Sequence, residues 1–252
     1  MIPHHLNNRV AFVSGASRGL GAAIALELGR CGARVAVNCF SHPAEAAAVA
    51  SRIKTDGGTA EIFPADVRDE REVSLLVKKV AETFGPVDIL VLNATGPQPS
   101  AALEDLTWQA CVEQLEYFVK SPLLLVQAVI AGMKQRKYGR IINIGSEVVE
   151  LGTPEQSSYV SAKAAQLGLT RSWARELAPW NITVNLVAPG WIPTERHRDI
   201  AQSAKDAYSK QVPGGRMGVP EDVAGIVAFL ASDSAAFITG QKMAVNGGTT
   251  LV

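Results

Sequence analysis

RVAFVSGASRGLGAAIALELGRCGARVAVN, residues 9–38, decides how the chain folds. The apolar run 9–15 predicts a buried strand. It leads straight into Ser14-Gly15-Ala16-Ser17-Arg18-Gly19-Leu20-Gly21. Leu20 to Cys31 then predicts a helix closed by Gly32, and ARVAVN (33–38) a second strand. Strand, glycine turn, helix and strand make a unit whose two strands lie parallel. The glycines allow a tight turn and let the backbone approach a pyrophosphate with no Cβ in the way. The helix that follows offers unpaired N–H groups and a partial positive charge at its start. A plain tight turn would use glycines too, but the place between first strand and first helix favours a nucleotide.

The same alternation continues outward. An Ala-rich helix is predicted over 43–56 with a Gly57-Gly58 stop, then a strand at 60–66 and a helix at 69–84. Further strands are predicted at 87–94, 139–146, 182–190 and 242–248, and helices at 107–136, 157–178 and 220–232. The strands are continuous apolar runs, as expected when both faces are covered. No repeat, low-complexity tract or linker divides the chain. The expected fold class is α/β: one domain over 1–252, a Rossmann-like doubly wound parallel sheet with helices on both faces.

Composition excludes several classes. Lys+Arg and Asp+Glu are both 24, so no net field draws a polyanion and nucleic acid is not an expected partner. Cys31, Cys39 and Cys111 are odd in number and lack metal-ligand spacing, so neither a disulfide framework nor a metal site is expected. The opening MIPHHLNNRVAF has no signal-peptide run, and no uninterrupted apolar stretch is long enough to suggest a membrane span. Cytoplasm is the expected compartment.

The end of the second strand bears on which dinucleotide binds. An Asp or Glu there would hold the ribose 2′-OH of NAD. Asn38-Cys39 stands there instead, with no acid to repel a 2′-phosphate, and Arg18 offers that phosphate a cation. NADP(H) is therefore expected over NAD(H), although a solvated Arg18 and a merely strand-ending Asn38 are the bland reading. Asp66-Val67 ends the third strand; Asp66 either accepts from the adenine amino group or caps the next helix. Asn93-Ala94-Thr95 follows the fourth strand, where the Asn ties strand ends together and small residues leave the cofactor room.

Chemistry is expected further along. Tyr159 and Lys163 are one helical turn apart, and Ser146 ends the preceding strand. A phenol is a poor acid–base group at neutral pH, and a nearby ammonium favours its phenolate. Ser146 would hold the substrate oxygen.

These motifs, in this order, resemble the compact short-chain dehydrogenase/reductase family over residues 8–252. The resemblance implies Tyr159 as general acid/base, Lys163 on the nicotinamide ribose and Ser146 orienting the carbonyl. It also implies Pro189, Gly190, Ile192 and Thr194 around the nicotinamide and phosphates. RMGVPEDVA (216–224) and GQKMAVNGG (240–248) are similar to the subgroup containing 3-oxoacyl-carrier-protein reductases. The substrate implied is a small carbonyl or alcohol, free or carrier-bound, and the assembly a homotetramer. Apolar residues on more than one face of helices 107–136 and 157–178 agree with a subunit interface.

Departures mark this chain. Leu92 and Thr95 replace an Asn and a Gly of the family motif, and Phe118 stands at the family's active-site Asn. That Asn distorts its helix so that its carbonyl holds a water near the lysine. Pro122 has no N–H for the Phe118 carbonyl, so it is expected to free that carbonyl by another route. Residues 191–217 are the expected substrate lid, with Arg196, His197, Arg198, Lys205 and Lys210 meeting either an anionic partner or solvent. Glu147 and 98–103 are expected pocket walls. A catalytically impaired NADP-binding regulator is the alternative of another class. A sugar-nucleotide epimerase would need a larger C-terminal domain.

Overall fold

In the computed structural model, residues 5–251 are described; residues 1–4 and 252, counted in the expected domain, lie outside them. The parallel strands are β1 (Val10–Val13), β2 (Arg34–Cys39), β3 (Thr59–Pro64), β4 (Ile89–Leu92), β5 (Gly139–Ile144), β6 (Ile182–Pro189) and β7 (Lys242–Val245). They form one seven-stranded sheet in the order β3-β2-β1-β4-β5-β6-β7. β1 pairs with both β2 and β4, so strand order reverses beside it. A doubly wound sheet opens a crevice at such a reversal, at the carboxyl ends of its strands.

The helices are α1 (Gly19–Arg30), α2 (Pro43–Thr55), α3 (Glu70–Phe84), α4 (Trp108–Leu115), α5 (Ser121–Arg136), the short α6 (Val148–Leu151), α7 (Ser157–Leu177), α8 (Gln202–Gln211) and α9 (Pro220–Ala231). Two cores cover the two sheet faces. Ile24 and Leu28 of α1, Ile53 of α2 and Val227 of α9 pack on one. Val80 of α3, Leu125 and Met133 of α5 and Leu177 of α7 pack on the other. β1, β4, β5 and β6 are buried along their whole length, which is why they read as unbroken apolar runs. β3, at the edge, alternates instead and exposes Glu61.

Asp69, not Asp66, caps α3: its side chain accepts from the N–H groups of Arg71 and Glu72. The capping alternative for Asp66 is thereby corrected. The expected single helix 107–136 is also corrected. Glu116–Lys120 forms a π turn between α4 and α5, in which Ser121 N–H reaches back to Glu116 O. Pro122 has no N–H to close an ordinary turn on Phe118, so the helix widens there. Trp108–Arg136 is apolar and long enough to cross a bilayer by length and composition. Here its buried side, Leu125, Val126, Val129 and Met133, faces the protein core.

Candidate active site

At the start of α1, Gly15 and Gly19 take positive φ, +63° and +55°. A Cβ on Gly15 would stand 2.9 Å from Ala94 Cα, and one on Gly21 would stand 2.3 Å from Gly15 O. Side chains at either position would push the loop off β4 or off its own helix. No side chain caps α1 and no acid sits in its first turn. The N–H groups of that turn are thus left for an anion. Ser17, Arg18 and Leu20 line the same turn, with Arg18 exposed. This cradle fits a dinucleotide pyrophosphate.

Asn93 ties the cradle to β4. Its Nδ2 donates to Ser14 O and Gly15 O, each at 3.0 Å, and Ser14 Oγ accepts from the N–H groups of Asn93 and Ala94. Ser14, named in the sequence only as the residue opening the loop, is a hub. Asn38 and Cys39 need a correction. Asn38 is buried, its Oδ1 accepting from Gly15 N–H and its Nδ2 donating to Phe63 O and Ala65 O. Cys39 is buried too. The Asn38 side chain shapes the loop from behind, because a loop crossing three strand ends needs its backbone groups satisfied, while Cys39 packs into the core. Asp66 accepts a bidentate ion pair from Arg68, which holds its carboxyl below the usual range. Val67 is buried beside it, and Thr95 is exposed, accepting from Gln98 Nε2 at 3.2 Å.

β5 and α7 bring the chemical groups to this crevice. Ser146 follows β5, and the Ser146 and Gln98 side chains are the polar neighbours that act on the Tyr159 hydroxyl. Burial pushes the Tyr159 phenol up; Ser146, the Arg196 charge and Gln98 oppose it without overcoming it. The expectation that Lys163 would pull this pKa down is corrected. Lys163 Nζ lies 5.8 Å from the Tyr159 ring centroid and donates instead to Ile144 O at 2.6 Å and Gln166 Oε1 at 3.2 Å. The ring of Phe118 lies 3.8 Å from that ammonium and meets the Tyr159 ring edge-on at 5.4 Å. Burial, helped by Arg196, brings Lys163 down to about 7. The π turn that Pro122 accompanies thus delivers the Phe118 ring to the lysine's side of the helix.

The remaining wall is the segment after β6. Pro189 O accepts from Glu147 N–H, and Ile192 is buried. A Cβ on Gly19 would lie 3.2 Å from Thr194 Cγ2, so the lid turn rests on the glycine loop. α8 is fastened by Tyr208, whose Oη donates to Glu147 Oε1 at 2.6 Å and accepts from Trp191 N–H at 2.8 Å. Burial and Glu147 push that phenol up to about 12. A hydrogen bond to a carboxylate contributes about 1.5–3 kcal/mol. Tyr208→Phe should therefore cut amide-exchange protection of α8 by about 10- to 100-fold. Unchanged protection would mean that Trp191 stacking alone holds the lid.

A sequence model of the family described as enoyl-(acyl carrier protein) reductase matches residues 15–250. The chain belongs to the short-chain dehydrogenases/reductases. A 3-oxoacyl-[acyl-carrier-protein] reductase FabG of Staphylococcus epidermidis is 41% identical over 241 residues, 96% of this chain and 98% of the relative. A 3-oxoacyl (acyl-carrier-protein) reductase of Agrobacterium tumefaciens, solved with NADP bound, matches with a TM-score of 0.90 and 36% identity over 98% of this chain and 96% of its own. LugOII, a promiscuous reductase that catalyses a keto-reduction at C1 in lugdunomycin biosynthesis, matches at TM-score 0.91 and 35% identity, covering 98% of this chain and 100% of its own. As a short-chain dehydrogenase/reductase, this protein is an oxidoreductase of CH–OH and C=O groups.

Proposed function

We propose that this short-chain dehydrogenase/reductase is an NADP(H)-dependent ketoreductase of a small metabolite or biosynthetic intermediate. The observation that carries the reading is the buried Tyr159 hydroxyl with Ser146 as its polar neighbour, on a sheet whose first strand runs into the uncapped glycine turn. NADPH, when bound, supplies the hydride that forms the new C–H bond. Ser146 holds the carbonyl oxygen in place. Tyr159 Oη–H gives its proton to that oxygen as the C=O π bond opens, and burial keeps the phenol protonated until then. Lys163, 5.8 Å from the phenol ring, is assigned to the nicotinamide ribose.

Gly15, Ser17, Gly19, Leu20 and Gly21 would cradle the pyrophosphate, with Asn93, Ala94, Thr95, Lys163, Pro189, Gly190, Ile192 and Thr194 around the nicotinamide end. Arg18 is assigned to the 2′-phosphate and Asp66 to the adenine. Arg18→Ala should weaken NADPH binding about 10-fold or more and leave NADH binding nearly unchanged. Fluorescence titration with both cofactors checks this; an equal loss for both would remove Arg18 from the 2′-phosphate.

The FabG relatives favour one narrower reading, a 3-oxoacyl-carrier-protein reductase. NADPH oxidation against ketones and 3-oxoacyl thioesters tests both. Binding without turnover on any carbonyl would favour a regulator. We assign the protein to the cytoplasm as a homotetramer. Exposed Trp108 at 74% and Leu103 at 78%, near α4, support a subunit interface, and solution mass checks it.

A further inference from the structure

We propose that Arg196 receives an anionic group of the substrate, so that the carbonyl compound reduced is a small keto acid carrying its carboxylate a few bonds from the reacting carbon. This rests on the ketoreductase reading and narrows its substrate.

Arg196 lies in the 3-10 turn Glu195–His197 of the lid. Its Nη2 crosses the crevice to donate to Gly96 O at 2.7 Å, in the loop after β4. That bond stretches the guanidinium over the space between the lid and the Asn93–Gly96 loop. Gly96 is fixed by its neighbours, for a Cβ there would overlap the Tyr117 ring at 2.1 Å. On the lid side, His197 packs edge-on against Trp191 at 5.9 Å, and Trp191 against Tyr208 at 5.3 Å. The arginine is therefore carried on a braced turn, not on a free loop.

Its surroundings are short of negative charge. Arg196 and the Tyr159 hydroxyl interact through space, and Arg196 also acts on Lys163 and feels Arg18. Among the described residues no carboxylate pairs with Arg196; Gly96 O is its hydrogen-bond partner. Glu147, the buried acid of the pocket, accepts from Tyr208. Cations this close raise one another's cost unless an anion joins them. A dinucleotide phosphate accounts for Arg18, the phenol is engaged in proton transfer, and Lys163 is assigned to the ribose. Arg196 is left without an assignment. A guanidinium keeps its charge at all working pH values and presents a planar fork that matches a carboxylate. The Gly96 bond uses one of its five N–H groups and leaves donors for an anion.

The chemistry balances simply. The keto acid takes a hydride at carbon and a proton at oxygen and becomes a hydroxy acid; the carboxylate neither gains nor loses a bond.

The test compares acetoacetate with its methyl ester, using NADPH oxidation by wild type, Arg196→Gln and Arg196→Lys. Removing Arg196 also removes a charge that favours the Tyr159 phenolate, and this touches both substrates alike. The ratio of kcat/KM for acid over ester isolates the anion contact. Wild type should prefer the acid, and in Arg196→Gln the ratio should fall by about 10- to 100-fold, chiefly through KM for the acid. Arg196→Lys should recover part of it. Raised salt should lower the wild-type ratio.

A ratio unchanged in Arg196→Gln overturns the proposal. So does a matching loss of NADPH affinity by fluorescence titration, which would give Arg196 to the cofactor instead. If wild type reduces the ester or a 3-oxoacyl thioester but does not favour the acid, this inference fails and the ketoreductase reading stands. If wild type reduces none of them, the ketoreductase reading itself fails.

Discussion

Tyr159→Phe is expected to reduce turnover by about 10²- to 10⁴-fold, the range set by loss of a positioned general acid. NADPH binding should stay within a few fold, since the glycine turn and the Asn93 ties are untouched. Only one oxygen is removed, and the ring keeps its edge-on packing against Phe118. Ser146 and Gln98 lose a polar neighbour, but Ser146 retains its contact with Val148 N–H at 3.3 Å. The variant should therefore fold, and thermal melting can verify that before rates are compared. Direction matters too. With the phenol raised above its usual value of 10, Tyr159 is protonated through neutral pH, the form that carbonyl reduction requires. Alcohol oxidation requires the phenolate, so its rate should climb with pH across the neutral and alkaline range. A variant keeping more than a tenth of wild-type turnover would assign the proton to another group.

The glycine turn was legible because its spacing and its place between a strand and a helix answer one physical need, backbone N–H groups facing an anion. Ser146, Tyr159 and Lys163 were legible because helix periodicity puts two of them on one face and the third ends the strand before, in the order that resembles the family's, behind the glycine turn. Arg196 was not. Its partner Gly96 is 100 residues away, and a lid rich in both charges reads equally as solvated helix. Tyr208 and Glu147 meet across 61 residues for the same reason. Asn38 misled because its position suggested a ligand contact, while the polar backbone of the loop claimed its side chain first. The π turn lay between these cases. Pro122 announced a missing N–H, but only the packed structure shows which side chain the widened turn presents.

That side chain sets the second large effect. Phe118→Ala is expected to cost about 3–5 kcal/mol of stability, as for other buried Phe truncations. Phe118 is 1% exposed and sits between Tyr159 and Lys163, so the cavity opens beside a charge. Two influences on the lysine then compete. The ring face favours the ammonium by about 0.5–2 kcal/mol, and its loss would lower the Lys163 pKa. The ring also keeps water out, and exclusion of water is the leading cause of the value near 7. Hydration should win in Phe118→Ala, moving the lysine up toward its ordinary 10.5. In Phe118→Leu the site stays dry while the π face is gone, so the lysine should move down. Between about 7 and 10.5 the unfolded chain binds more protons at this site than the folded one, so wild-type stability rises with pH across that window. The window should narrow from below in Phe118→Ala and widen in Phe118→Leu. Urea unfolding at several pH values, with pH–rate profiles of NADPH oxidation alongside, reads both shifts. Shifts in the same direction for both variants would mean that the ring acts on Lys163 by packing alone, and that neither its π face nor its dryness sets the lysine's charge.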